Sequence, residues 1–190
     1  MEKYLEIRWH GRGGQGVVTA AKLLAETYLE QGKYFQAQPE YGAERMGAPI
    51  RAYSRFSDGP ISIHCAIAEP DVVVILDPSL LDVVDVTEGM KDDGVIVINT
   101  PELPETIRAR LGLKKAKVYA VNASRISMDA LGRELPNTPI LGALTRALGT
   151  VEKSAMIDEM RHKLSLTLRP DVVEGNVKAY ERAYEETNEG

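Results

Sequence analysis

The chain has 190 residues, a length that suits one domain, residues 1–190, with a real core. It is 44% hydrophobic and 27% charged, with 6% aromatics, the composition of an ordinary globular protein. The net charge of −5, with only Lys114, Lys115 and Lys117 crowded together, excludes the clustered basic face that nucleic-acid binding needs.

The opening "MEKYLEIRWH" lacks the apolar core of a signal peptide, and no apolar run reaches the ~18 residues that span a bilayer. The expectation is a cytoplasmic protein with no membrane partner. "YLEIRWH" (4–10) alternates, with Leu5, Ile7 and Trp9 on one face and Glu6, Arg8 and His10 on the other. That pattern predicts a strand with one wet or partner-facing side. It fits a simple Rossmann sheet imperfectly, because central parallel strands are apolar on both faces.

"GRGGQG" comes next, and Gly11, Gly13 and Gly16 match G-x-G-x-x-G. Glycines let backbone approach a pyrophosphate, and the N-terminus of the following helix favours an anion. Arg12 would add a charge-assisted contact, and Gly14 and Gln15 complete the loop. The alternative is that the glycines serve only a tight turn and close strand–helix packing. After them Val17, Ala20, Ala21, Leu24 and Tyr28 keep helical spacing, with Gly32 as the stop.

"KYFQAQ" reads as a short second strand. An NAD site places Asp or Glu about 20 residues after the glycines to hold the ribose. Gln36 and Gln38 stand there instead, and Glu40 lies beyond a proline, so a stand-alone NAD(P) oxidoreductase is disfavoured. "PEYGAERMGAP" (39–49) is long, rich in Gly and Pro, and without clear periodicity, which points to a functional segment. Glu40, Tyr41, Glu44 and Arg45 are its candidates for an interface or active-site loop.

"IRAYSRFSDGPISIHCAIA" reads as a β-hairpin around Asp58-Gly59-Pro60. "DVVVILD", "GVIVINT" and "KVYAVNAS" read as buried parallel strands, with helical stretches near 79–90 and 104–111. Asp77, Asn99 and Asn122 end these strands, where open α/β sheets bind ligands, although each could equally cap the next helix. From about 125 the chain turns helical. Thr138 followed by Pro139 predicts a helix start, and Gly142, Ala143 and Ala147 allow a close neighbour. Val173, Val177, Tyr180 and Tyr184 form the stripe of a last helix, and the polar tail "EETNEG" is expected to fray. The sum is an α/β fold: a Rossmann-like three-layer arrangement with a mostly parallel sheet, a grafted antiparallel β-hairpin and a helical C-terminal part.

The lone Cys65 builds neither a disulfide framework nor an iron–sulfur site, which takes about four cysteines. His10, His64 and His162 share no metal spacing, and His10 beside the loop reads as a hydrogen-bonded structural residue. No nucleophile–base set emerges, so catalysis by this chain alone is not expected.

Four segments in order, "RWHGRGGQGVVTAAKLLAE", "GKYFQAQPEYGAERMGAPIRAYSRFSD", "PDVVVILDPSLL" and "PNTPILGAL", resemble the gamma subunit of 2-oxoacid:ferredoxin oxidoreductases. The wording "PEYGAERMGAPIRA" is similar to the pyruvate type. The resemblance implies a share in coenzyme A-dependent oxidative decarboxylation of a 2-oxoacid, with coenzyme A as the ligand of the glycine loop. It also implies thiamine diphosphate and iron–sulfur clusters on partner subunits, one thiamine-binding and one ferredoxin-like. The alternative from a different class is a structural interaction subunit with an empty scaffold. Deprived of partners, such a chain is open to homodimer formation in isolation.

Overall fold

The structure, a computed structural model, describes residues 4–40 and 47–190, the side chains of 39 and 40 excepted. Strand β1 (Leu5–Arg12) runs into the glycine turn and then into helix α1 (Val17–Glu30), which ends where Gly32 takes φ +75°. Strands β2 (Tyr34–Glu40) and β3 (Pro49–Ser57) follow, then β4 (Val72–Ile75), β5 (Val95–Asn99), α2 (Pro104–Arg110) and β6 (Lys117–Val121). Helices α3 (Ala123–Leu131), α4 (Asn137–Leu148), α5 (Lys153–Ser165) and α6 (Pro170–Glu186) lead to a two-residue strand β7 (Asn188–Glu189).

The sheet order is β2-β3-β1-β4-β5-β6-β7. Strands β1, β4, β5 and β6 are mutually parallel, β3 is antiparallel to both β1 and β2, and β7 is antiparallel to β6. Short apolar runs make β4–β6 because both faces are covered. Val74, Leu76, Val97 and Val121 face the helical layer with Ile7 and Trp9, forming the larger core with Leu24, Leu144 and Tyr180. Val73, Ile75, Ile96, Ile98 and Val118 face the other way, against Leu80, Val86 and Ile107. These are the three layers expected.

Helix α4 lies unusually close to α6. A Cβ on Gly142 would stand 2.3 Å from the Tyr180 carbonyl oxygen, so the missing side chain is what lets the backbones meet. Val173, Val177 and Tyr180 are buried along α6 as its stripe predicts.

Five expectations need correction. The polar face of β1 is not wet: Arg8 is 3% and His10 1% exposed. It is covered because Arg8 donates through Nη2 to the Val86 carbonyl oxygen, and Arg55 through Nε to Glu6, so a backbone carbonyl and an ion pair from segments distant in sequence close over it. The hairpin is β2–β3 rather than 50–68. Strand β3 already has β1 and β2 on its two sides, so it offers residues 61–69 no edge to pair with. They cross the polar face instead, where Ile63 and Cys65 offer carbonyls to Gln36 and Arg55.

The stretch 79–90 is a single 3₁₀ turn at Pro78–Asp82 followed by irregular chain. Asp85 accepts from the Thr87 amide and hydroxyl, local bonds that compete with a helix, and Gly89 takes φ +67° against the Ala68 carbonyl. Thr138 does not cap α4, which begins one residue earlier; its hydroxyl donates to Asn176 of α6. The tail does not fray either. It supplies β7, and Val118 and Gly190 exchange backbone hydrogen bonds of 2.9 and 3.0 Å, which closes the edge β6 would otherwise leave open.

Candidate functional site

The carboxyl ends of β1 and β4 meet the N-terminus of α1, and there the six residues Gly11–Gly16 come together. Gly11 ends the strand against Val17: a Cβ there would stand 2.4 Å from a Val17 methyl. Gly16 caps α1 in the left-handed region, φ +78°, with the Asn137 side chain 2.6 Å from where a Cβ would be. Gly14, at φ +98°, has no heavy atom of the described residues within 4 Å of that position.

Arg12, Gln15 and Asp77 form a triangle that sets the loop. The Arg12 amide donates to Gln15 Oε1 at 2.8 Å, and Gln15 Nε2 donates to Asp77 Oδ2 at 2.9 Å. Arg12 Nε donates to the same oxygen at 3.1 Å, a half-buried ion pair. The rest of the guanidinium donates to the Gly47 carbonyl oxygen and to Ser79 Oγ, both at 2.9 Å. Asp77 Oδ1 accepts from the Ser79 amide and hydroxyl at 3.0 and 2.6 Å. Burial alone would raise the Asp77 pKa, but the bonds from Ser79 and Gln15 and the Arg12 charge outweigh it and hold the carboxyl below its ordinary range.

Not every loop amide is free. Gly13 N–H donates to the Ala48 carbonyl at 3.1 Å, and Gln15 N–H to the Arg12 carbonyl at 3.1 Å. The first helical bond of α1 runs from Ala20 to Gly16, so the N–H groups of Val17, Val18 and Thr19 have no acceptor within the helix. The site can therefore meet an anion with helix-terminal amides and with the guanidinium hydrogens Arg12 has left.

Behind the loop, Arg8 Nε donates to His10 Nε2 at 3.1 Å, which fixes the proton of the neutral ring on Nδ1. Burial, then the charges of Arg8 and Arg51, push the His10 pKa down to about 3. His10 is a neutral structural acceptor.

Of the other rim residues, Asn99 is committed to the Leu76 carbonyl and to Ser124, and Asn122 caps α3 by accepting from the Arg125 amide. Glu40 is the last residue of β2, paired in register with Arg51; its side chain and residues Tyr41, Glu44 and Arg45 lie outside the described residues. The described residues resume at Gly47–Ala48, which is bonded to the glycine loop. Sequence reasoning missed Ser79 and Asn137, which carry no motif. It also missed Arg51, whose only signal is the polar alternation Arg51-Tyr53-Arg55. No helix among the described residues is long and apolar enough to cross a membrane.

Comparison with known proteins agrees with this architecture. The family model described as pyruvate ferredoxin/flavodoxin oxidoreductase matches residues 6–186. The chain is 46% identical over 183 residues to the pyruvate/ketoisovalerate oxidoreductases common subunit gamma of Pyrococcus furiosus, covering 96% of this chain and 97% of that one. It is 43% identical over 185 residues to the pyruvate synthase subunit PorC of Thermotoga maritima, covering 97% and 95%. A crystal structure of pyruvate oxidoreductase subunit PORC from Thermotoga maritima superposes with a TM-score of 0.87 at 41% identity, over 100% of this chain and 99% of the other. The fold also recurs in the 2-oxoglutarate:ferredoxin oxidoreductase of Magnetococcus marinus, solved with 2-oxoglutarate, coenzyme A and succinyl-CoA bound. There the TM-score is 0.78 at 18% identity, over 97% of this chain and 31% of that one. The chain belongs to the pyruvate ferredoxin/flavodoxin oxidoreductase family, in its gamma-subunit branch.

Proposed function

We propose that this gamma subunit, a single domain, works in the cytoplasm within a pyruvate-type 2-oxoacid:ferredoxin oxidoreductase and holds the phosphates of coenzyme A on its glycine loop. The observation that carries the reading is the Arg12–Gln15–Asp77 triangle, which fixes the loop at the N-terminus of α1. It leaves the first-turn amides of α1 without helical partners and, among the described residues, nothing over the Gly14 Cα. These residues fit a phosphate group. Gly11, Gly13, Gly14, Gln15 and Gly16 would shape the cradle and Arg12 would supply charge. Coenzyme A brings the thiol that accepts the acyl group; this chain's part is to bind and orient it.

Thiamine diphosphate and iron–sulfur clusters belong to the partner subunits in this reading, one thiamine-binding and one ferredoxin-like. The single cysteine, Cys65, is exposed and does not fit a cluster. Glu40, Tyr41, Glu44 and Arg45 are proposed to face a partner or the active site, since their segment ends on Gly47 and Ala48, which are bonded to Arg12 and Gly13. A second reading, a scaffold with no ligand, has one observation in its favour: the Gly13 and Gln15 amides are already spent inside the protein. Turnover of the assembled enzyme against coenzyme A concentration, with and without Arg12→Ala, separates the two.

A further inference from the structure

The polar face of β1 and β3 continues from the glycine loop along the sheet, and its cations are not explained by the loop. Arg12 is opposite Pro49 in the β1–β3 register and His10 is opposite Arg51, so Arg12 and Arg51 project from the same face. Such diagonal neighbours on an antiparallel pair stand about 7–8 Å apart at their Cα atoms. Among the described residues the ion-pair contact of Arg51 is with Glu88 at 3.6 Å, and its side chain is 34% exposed; Glu40, whose side chain lies outside the described residues, is its register partner on β2. On the same face, two residues along β1 from His10, lies Arg8, 3% exposed, which donates to the neutral acceptors His10 Nε2 and the Val86 carbonyl oxygen. Among the described residues no carboxylate comes within 4 Å of Arg8. The acids whose charge acts on Arg8, Asp85 and Glu88, are exposed on either side of the buried Val86. A buried cation on the same face as a half-exposed one makes this strip of the face favourable to a second anion, one side-chain reach from Arg12.

We propose that Arg51 is the ligand of the 3′-phosphate of coenzyme A, while Arg12 and the glycine loop take its pyrophosphate. This rests on the coenzyme A reading of the loop. The two phosphate groups of that cofactor flank one ribose, and the two arginines flank one step of the β1–β3 pair. Arg51 exchanges a weak surface partner, Glu88, for a dianion. Arg8 stays in place and contributes field without contact.

The test compares coenzyme A with 3′-dephospho-coenzyme A as acceptor in the assembled oxidoreductase, reading KM from ferredoxin reduction. Wild type should prefer coenzyme A about 10- to 100-fold in KM, the scale of one charged hydrogen-bonding contact. Arg51→Gln should raise the KM for coenzyme A to that of the dephospho form and leave the dephospho KM unchanged; Arg51→Lys should recover part of the preference. Arg12→Ala should raise both KM values together. If Arg51→Gln keeps the wild-type preference while Arg12→Ala raises both values, the Arg51 assignment is wrong and the loop reading survives. If wild type shows no preference, the assignment is also wrong. If Arg12→Ala moves neither value, the loop reading itself falls, and this proposal with it.

Discussion

Asp77→Asn is the sharpest probe of what holds the glycine loop. Asp77 Oδ2 receives two donors, Arg12 Nε and Gln15 Nε2, and Oδ1 receives two more from Ser79. An asparagine has one oxygen and one NH₂ group: with the NH₂ in place of Oδ2, Arg12 and Gln15 lose their acceptor, and with it in place of Oδ1 the Ser79 amide does, while the Ser79 hydroxyl can turn to accept. Every bond to the ionised carboxylate is charge-assisted, and such bonds are worth about 1.5–3 kcal/mol. With the ion pair half buried, the net cost is about 2 kcal/mol, or roughly 4–8 °C in Tm for a chain of this size. Urea unfolding and a thermal melt at pH 7 measure it. The folded pKa of Asp77 lies below its unfolded value, so this stabilisation is complete above about pH 4 and is lost as pH falls through the folded pKa. The gap between wild type and variant should therefore close in strong acid. A variant within about 0.5 kcal/mol of wild type at pH 7 would refute the idea that the triangle fixes the loop.

His10 predicts a second acid limb. Its pKa falls from 6.5 unfolded to about 3 folded, so the unfolded chain takes up the proton first. Stability is fully present above about pH 6.5 and declines toward pH 3 by up to about 1.4 kcal/mol per pH unit, a slope that His10→Gln should flatten. An NMR titration in which the His10 ring protonates near pH 6.5 in the folded chain would contradict the burial argument. Gly142→Ala should force α4 away from the Tyr180 carbonyl oxygen and cost about 1–3 kcal/mol in denaturant unfolding. No loss there would mean the helices are not in the close contact described.

Strands β4, β5 and β6 were legible because runs such as "VVVI" and "VIVIN" are apolar on both faces, a pattern that needs no knowledge of neighbours. The same holds for α1, whose buried stripe and glycine stop are local features. The polar face of β1 was not legible. Its covering depends on Arg8 meeting Val86, 78 residues away, and on Arg55 meeting Glu6, 49 away, and periodicity carries no sign of such pairs. Likewise "PISIHCAIA" alternates like a strand, but whether it pairs depends on whether β3 has a free edge. The tail read as fraying because two residues of strand make no pattern. At the candidate site, the glycines and Arg12 announced themselves by motif. Asp77 was visible as a strand-end residue, but its bond to Arg12 spans 65 residues and its identity as the anchor of the loop came only with the fold.

Coenzyme A binding by the glycine loop is tested most directly by the coenzyme A dependence of the assembled enzyme carrying Arg12→Ala in this subunit. Loss of one charged phosphate contact should raise KM for coenzyme A about 10- to 100-fold. A remote phosphate handle binds ground and transition states alike, so kcat should change little. Oxoacid-dependent reduction of the clusters without coenzyme A should proceed as in wild type. An unchanged KM, or a coenzyme A-free signal that collapses as far as turnover does, would contradict the claim that the glycine loop holds coenzyme A.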